Sequence, residues 1–432
     1  MNYINELIDF ISSSPTCFQV AENAASLLRE AGFEELDYGG NWELQPKGSY
    51  FTRRNMSSLI AFRIPEEGLA PFALVESHSD SPCFRIKINC DVPSAGKYTV
   101  LNTEIYGGAI NYTWFDRPLT AAGRISYRTA DGVASKSVYI DRPLFVIPSV
   151  APHLNREANN GFKPLANVDL LPLSGGPDSE GKLKTMIASE AGVSVEDILL
   201  WDLYAVNCDK GYVFGTSGEF FSSPRIDNQS NVFASVRALI GCSPRGMIPV
   251  ASVFNREEIG SYGIDGADSR VLADVLESIA DSLGADSRAY RRMLKSSFAI
   301  SADNGHAVHP NHPEMADAKD RCYLNGGIMI KQSPAYTTDG FSGAVFAELC
   351  HRAGLDVQVY SNRADQRGGS TLGVISISQI SVPTVDIGIP QLAMHSANET
   401  AGCMDPEDME KALTCFFSST LRSDCDSQFR IL

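Results

Sequence analysis

The chain reads as an α/β protein interrupted by a β-rich insertion, and three observations predict this. Short apolar runs such as Phe72–Val75, Ile248–Phe254 and Ser297–Ser301 have the length and composition of buried strands rather than helices. Helical patterns accompany such runs towards both ends of the sequence, as in a sheet covered by helices. Between about Asn89 and Gly218 helical periodicity nearly vanishes, and short strand-like pieces separated by Gly, Pro and Asn replace it. A length of 432 residues is too great for one small core. The expected division is therefore a discontinuous α/β domain, 1–88 and 219–432, around an inserted β-rich domain, 89–218.

Taken in order, Ile4, Leu7, Ile8 and Ile11 share one helical face, and that helix stops at Ser12-Ser13-Ser14-Pro15. Thr16 is the expected N-cap of a second helix, which turns Val20, Ala24, Leu27, Leu28 and Ala31 inward and ends at Gly32. Ser57–Ile64 and Phe72–Val75 read as strands. In the insertion, Lys97–Leu101, Gly123–Tyr127 and Ser137–Ile140 carry strand patterns and Lys182–Ala191 a helical one. Beyond Glu219, helices are expected after Asp227, across Ser269–Met293 and at Gly340–Arg352. Strands are expected at Ile248–Phe254, Ser297–Ser301, Gly326–Lys331 and Asp356–Tyr360. Arg367-Gly-Gly-Ser-Thr-Leu-Gly373 lacks the Gly-Lys-Ser/Thr ending of a phosphate-binding loop, so its glycines are expected to let backbone approach a ligand or an adjoining element. A last helix takes Asp405 as N-cap and Pro406 at its first position and runs to about Leu421.

Hydrophobic residues make up 44% of the chain and charged residues 20%, an ordinary globular balance. A formal net charge of −16 argues against nucleic acid and anionic membrane as partners. No apolar run is long enough to cross a bilayer. Met1-Asn-Tyr-Ile opens without a basic or long apolar leader, and the ten cysteines include no Cys-x-x-Cys pair. Reduced thiols in a cytoplasmic protein are the expectation.

In an open α/β sheet, chemistry collects beyond the carboxyl ends of the strands. Ile248–Phe254 stops at Asn255, and Glu257 and Glu258 follow. Two adjacent acids that lose water repel each other and need a counter-charge, most simply a metal ion, which one can bind while the other moves protons. An isolated Glu-Glu pair is more often a solvated loop, so the weight falls on the other strand ends. Phe72–Val75 runs into His78 and Asp80, which share one side of an extended chain and suit an imidazole ligand with a second carboxylate beside it. Asp227 precedes a helix as either an N-cap or a carboxylate aimed into a cleft. Ser297–Ser301 delivers Asp303 and then His306, His309 and His312, and histidine is scarce, with seven in the chain. His395 follows Val382–Pro390. Lys331 closes a strand, where a solvated lysine is the plain reading, and His153 reads as a loop or core residue. Two histidines with Asp, Asp and Glu form a nitrogen–oxygen set without thiolate. It suits Zn²⁺, Co²⁺ or Mn²⁺ rather than a structural Cys-rich site. Two divalent ions sharing one carboxylate would neutralise the clustered acids.

Further motifs run along the chain: Ser14-Pro-Thr-Cys-Phe18, Tyr50-Phe-Thr-Arg-Arg-Asn55, Ser77-His-Ser-Asp-Ser-Pro82, Tyr106-Gly-Gly108 and Trp114-Phe-Asp-Arg117. They continue with Ser223-Pro-Arg-Ile-Asp-Asn228, Glu257-Glu-Ile-Gly-Ser261, Ala302-Asp303 with His306-Ala-Val-His-Pro-Asn311, Gly369-Ser-Thr-Leu-Gly373 and Gln391-Leu-Ala-Met-His-Ser396. In this order, and nearly end to end, the sequence resembles the M18 metallopeptidases, the aspartyl aminopeptidase family.

By position, the resemblance implies His78 and Asp303 as ligands of one metal, Glu258 and His395 as ligands of the other, and Asp227 as the bridge. It makes Glu257 the general base and Asp80 the residue that orients His78. It implies that His153, against its plain reading, stabilises the oxyanion in a neighbouring subunit's site. The implied fold is a three-layer α/β/α peptidase-type sandwich whose insertion is a dimerisation domain, with dimers assembled into a tetrahedral dodecamer that admits small peptides. The implied activity is hydrolysis of the N-terminal residue of peptides by a water activated at two metal ions, with an Asp or Glu preference. Lys331, with His306 nearby, is the candidate cation for that preference. Asp365-Gln-Arg367-Gly stands where related bacterial sequences often have a Pro, which makes Arg367 either a second cation at the pocket or a solvent-facing residue. The alternatives are an aminopeptidase preferring neutral residues, a related binuclear amide hydrolase and, outside the enzymes, an inactive self-assembling scaffold. Every required ligand and base position is filled, which argues against the scaffold.

Overall fold

The structure, a computed structural model, describes residues 2–366, 368–369, 371–425 and 428–432. Among these residues the main sheet has nine strands. In spatial order they are Glu34–Leu36, Ser49–Arg54, Ser58–Arg63, Ile248–Phe254, Phe72–His78, Phe298–Ala302, Thr384–Gly388, Ile328–Lys331 and Val357–Tyr360. The four beginning with Ile248–Phe254 and ending with Thr384–Gly388 are mutually parallel, so their carboxyl ends share one edge. All four are buried along their whole length, which is why they read as apolar runs without alternation.

Helices cover both faces. Asn2–Ser13, Cys17–Glu30, Ile226–Gly241, Gly340–Arg352 and Asp405–Ser418 pack Leu7, Ala24, Val236, Phe346 and Phe416 against one face with Val75, Val253 and Ile300. Val271–Ser282, Ser287–Lys295 and Leu372–Ile380 pack Leu276, Met293 and Leu372 against the other with Leu74, Val250 and Ala299. This is the three-layer α/β/α arrangement. In Ser58–Arg63 the strand period of two sends Leu59 and Ala61 into the first core and Ile60 and Phe62 into the second.

A six-stranded antiparallel sheet comprises Gly132–Tyr139, Leu119–Thr129, Ile198–Asn207, Cys83–Ser94, Tyr98–Tyr106 and Leu173–Gly175, in that spatial order. Its own core holds Phe84, Leu101, Trp114 and Leu203, with Ile187 from helix Lys182–Ala191. A third sheet joins Tyr212–Phe214, Phe220–Ser223, Glu399–Gly402, Pro390–Leu392 and Gly305–His306 beside the strand-end edge.

Several local expectations change. Ala31 is exposed, because the second helix ends at Glu30; Thr16 occupies the expected N-cap of that helix, but its hydroxyl bonds the Gln19 side chain rather than a backbone N–H. Met404, not Asp405, occupies the cap position of the last helix. The Asp405 carboxylate instead accepts the backbone N–H groups of Asn325 and Gly327, at 2.7 and 3.1 Å. That helix stops at Ser418, and Leu421 starts a strand. Leu372–Ile380 is a helix that its β-branched composition hid. Gly373 lets it lie close to the sheet, since a Cβ there would stand 2.8 Å from Ser301 Cβ and 2.9 Å from Asp386 Oδ1. Arg367 lies outside the described residues. Among the described residues no helix is long and apolar enough to cross a membrane.

Candidate metal centre

The shared strand edge gathers the predicted residues. His78 is the last residue of its strand, and Asp303 follows Ala302 directly. After Phe254 the chain turns through Arg256 at φ +69° into a short 3₁₀ turn at Glu257–Ile259, which Gly260 closes at φ +104°. Asp227 sits at a kink near the start of its helix, with φ −78° and ψ 110°, and makes no cap bond there. Its carboxylate faces the cleft instead. His395 comes from the loop after Pro390–Leu392 and adopts φ +67°.

Among the described residues three three-residue clusters result, His78–Asp227–Asp303, Asp227–Glu258–His395 and His78–Glu257–Glu258, and Asp227 belongs to the first two. His78 Nε2 lies 3.4 Å from Asp227 Oδ1 and 3.5 Å from Asp303 Oδ1. His395 Nε2 lies 3.3 Å from Glu258 Oε2 and 3.8 Å from Asp227 Oδ2. These separations exceed good hydrogen bonds. They suit donors around a common ion, because tetrahedral bonds of about 2.0–2.1 Å put ligand atoms roughly 3.3 Å apart. Asp227 Oδ1 and Glu258 Oε1 are buried without a hydrogen-bond partner among the described residues. Each such acceptor costs about 1–3 kcal/mol, and more when charged.

Charge points the same way. Asp80, Asp227, Glu257, Glu258 and Asp303 crowd around the Lys331 ammonium and the His78 and His395 imidazoles, with His306 at the cavity wall. At an effective dielectric near 20, two like charges 4 Å apart repel by about 4 kcal/mol. Burial raises the Glu258 carboxyl well above the carboxylate range, and Asp227 adds to the rise. Burial also raises Glu257, with the neighbouring acids adding to the effect and His78 opposing it. Burial alone would lower the His78 imidazole, but Asp227, Asp303 and Asp80 outweigh it and raise it. Burial would likewise raise Asp303, yet Lys331 and His78 hold it low. The donor set and its deficit of positive charge therefore fit divalent ions.

Surrounding groups hold the ligands. His78 Nδ1 bonds the Asp80 carbonyl at 3.0 Å, while the Asp80 carboxylate stands 3.6 Å away. Asp80 therefore orients His78 chiefly through its backbone, and its carboxylate accepts the N–H groups of Glu257 and Glu258 at 3.1 and 3.2 Å. Sequence reasoning missed Glu399, which is buried and accepts the N–H of His395 at 2.7 Å and of Asp227 at 2.9 Å. No local pattern marks it, because its tie to His395 spans a loop four residues long and its tie to Asp227 crosses 172 residues of chain.

Lys331 is 3% exposed, so the solvated-lysine reading fails. Its Nζ lies 3.6 Å from Asp303 Oδ2 and 5.5 Å from the Tyr336 ring centroid. It lines a cavity of about 300 Å³ with Asp227, Glu257, Asp303, His306, Tyr336 and His395. His306 is exposed within this cleft. His309 and His312 line a neighbouring hollow that shares His306 and Tyr360 with the first. His153 is exposed, and no ion pair or hydrogen bond joins it to the clusters among the described residues.

Parallel strands that deliver a buried His/Asp/Glu cluster to one edge of an α/β/α sheet define a metal-dependent hydrolase. Residues 10–417 match the family described as aminopeptidase I zinc metalloprotease (M18). A probable M18 family aminopeptidase 2 of Clostridium acetobutylicum is 43% identical over 428 residues, spanning 97% of this chain and 99% of that one. A chain of the solved Ape4 and Nbr1 complex superposes with a TM-score of 0.92 at 32% identity, covering 96% of this chain and 85% of that one. The S. cerevisiae mApe1 dodecamer gives 0.83 at 27% identity, covering 96% and 97%. The chain belongs to the M18 family of metallo-aminopeptidases.

Proposed function

We propose that this aminopeptidase removes N-terminal Asp or Glu from small peptides at a centre of two divalent ions, most simply Zn²⁺, with Co²⁺ or Mn²⁺ as alternatives. The observation that carries the reading is the pair of ligand clusters joined at Asp227. His78 and Asp303 would hold one ion, Glu258 and His395 the other, and Asp227 both. Bound there, the ions supply Lewis acidity toward the scissile carbonyl and toward the attacking water.

The chain's own residues do the rest. Glu257 stands beside the clusters without being needed in either of the two that share Asp227, so it is free to take the water's proton and return it to the leaving amine. Asp80 fixes the turn that carries it. Lys331 supplies a buried cation to the cavity. Once Asp303 gives its charge to a metal, the lysine has charge left for an acidic side chain, with His306 at the same wall.

His153 would serve a neighbouring subunit's oxyanion, with the β-rich unit 89–218 as the dimerisation domain of a discontinuous catalytic domain, 1–88 and 219–432. The dodecamer of mApe1, a structural neighbour, supports a homo-oligomer here, with dimers in a tetrahedral dodecamer as the specific form. A cytoplasmic location is supported by the buried free thiols of Cys17, Cys83, Cys242 and Cys350.

The deciding experiment compares kcat/KM for Asp-, Glu-, Leu- and Lys-anilides with the metal-loaded enzyme. A preference for Asp or Glu of at least tenfold over Leu is expected. A preference for Leu would sink the acidic pocket and favour a neutral-residue aminopeptidase.

A further inference from the structure

We propose that Tyr106–Gly108, at the end of a strand of the six-stranded sheet, positions the ligands of one ion of the pair, the ion assigned to Glu258 and His395. The inference rests on the binuclear reading above and concerns residues to which that reading gives no task.

Each residue of the segment meets a ligand or its support. The Tyr106 hydroxyl donates to Asp80 Oδ2 at 2.8 Å, the same oxygen that accepts the Glu258 N–H. The carboxylate that fixes the Glu257–Glu258 turn is thus itself held from the other sheet. Gly107, at φ +74°, lies flat against the Glu258 side chain, and a Cβ there would stand 3.1 Å from Glu258 Cβ and 3.4 Å from Oε2. At Gly108 a Cβ would stand 3.2 Å from His395 Nδ1.

The carbonyl of Gly108 lies 3.1 Å from His395 Nδ1. Nδ1 donates to it, which fixes the tautomer and leaves Nε2 as the lone-pair nitrogen facing Glu258 and Asp227. Just beyond, the Ile110 N–H donates to the His395 carbonyl at 2.9 Å, and Thr113 Oγ1 accepts the Ala397 N–H at 2.9 Å. No hydrogen bond joins Tyr106–Gly108 to Asp303 among the described residues. The segment reaches the other ion's ligands only indirectly, through Asp80, whose carbonyl bonds His78 Nδ1, whereas it meets Glu258 and His395 directly. Two packed sheets need only apolar contact to stay together. Here consecutive glycines keep side chains out, and the polar groups on either side of them bond ligand-bearing segments.

Loss of such an outer partner typically costs 10–100-fold in metal affinity. The test titrates the full-length wild type, Gly108→Ala and Glu258→Gln with Co²⁺, following the visible absorption bands. Gly108 is not among the positive-φ residues, so alanine adds only a Cβ against the imidazole. Wild type should bind two ions. In Gly108→Ala one should bind as before and the other at least tenfold more weakly, and the weakened ion should be the one that Glu258→Gln loses. Tyr106→Phe, which removes a single hydroxyl, keeps the question open to test if Gly108→Ala does not fold. It should lower kcat at least tenfold at saturating Co²⁺ while KM stays within twofold.

Equal weakening of both ions in Gly108→Ala would overturn the inference, as would unchanged affinities together with an unchanged kcat in Tyr106→Phe. A wild type that binds one ion would overturn the binuclear reading instead.

Discussion

Glu257 and Glu258 are neighbours in sequence with different surroundings. Glu258 belongs to the cluster with Asp227 and His395, and one of its oxygens has no hydrogen-bond partner among the described residues. Glu257 is half-buried and lines the open cavity. Both hang from the Asp80 carboxylate by their backbone N–H groups. Glu257→Gln should therefore keep fold and metal content while kcat falls by roughly 10²–10⁴, the usual worth of a positioned acid–base group. Near-normal kcat at full metal occupancy would remove Glu257 from that role. The ligand candidates were legible in sequence because each follows a buried run or stands near the start of a helix. Glu399 was not, since its task is to accept N–H groups from segments more than 150 residues apart along the chain.

At the scale of elements, strand register explains what lies beneath the site. Ser252, Glu76, Ser301 and Asp386 pair across four adjacent parallel strands, so a fully buried polar row crosses the sheet two residues before its active edge. Asp386 in that row accepts from Thr337 and Thr371, which ties the loops before helices Gly340–Arg352 and Leu372–Ile380 to the strand. The last helix of the chain offers a titration test far from the metal ligands. Burial lifts the Asp405 carboxyl to about 7, against the pull of the Asn325 and Gly327 N–H groups. The unfolded chain releases that proton near pH 4. The native chain thus holds a proton that the unfolded chain lacks between about pH 4 and 7. The stability from this group is full below that window and is lost as pH rises through it. Asp405→Asn cannot ionise, so its stability relative to wild type should rise across pH 4–8, by up to about 1.4 kcal/mol per pH unit. Urea unfolding of both proteins measures this, and parallel curves would refute it. Sequence placed an acid at this helix start but gave it the wrong partner, because capping rules are local and the two N–H groups lie about 80 residues upstream.

At the scale of the molecule, the site is built from both large sheets. His78, Asp303 and the Glu257–Glu258 turn come from the main one, and Tyr106 and Gly108 from the six-stranded one. If His153 acts in a neighbouring subunit, a chain carrying His153→Phe and a chain carrying Glu257→Gln should complement each other. Co-assembled in equal amounts from subunits that are each nearly inactive, they should regain roughly a quarter of wild-type turnover, since one site in four pairs an intact Glu257 with an intact partner histidine. No recovery from verified mixed oligomers would confine His153 to its own chain or to no catalytic role.

The sequence by itself determined the layered α/β class and the His, Asp and Glu positions at which chemistry was to be sought. Those signals are periodic or adjacent: buried runs, helix starts, and acids or histidines just past strand ends. Only the tertiary structure decided how they pair. Parallel register brought four strand ends to one edge, Asp227 was shared between two clusters, Lys331 was sealed inside, and Gly108 and Glu399 were set behind His395. The physical reason is range. Local conformation follows from neighbours within a turn or a pleat, whereas electrostatic and hydrogen-bond partners are chosen by packing, whatever their separation along the chain.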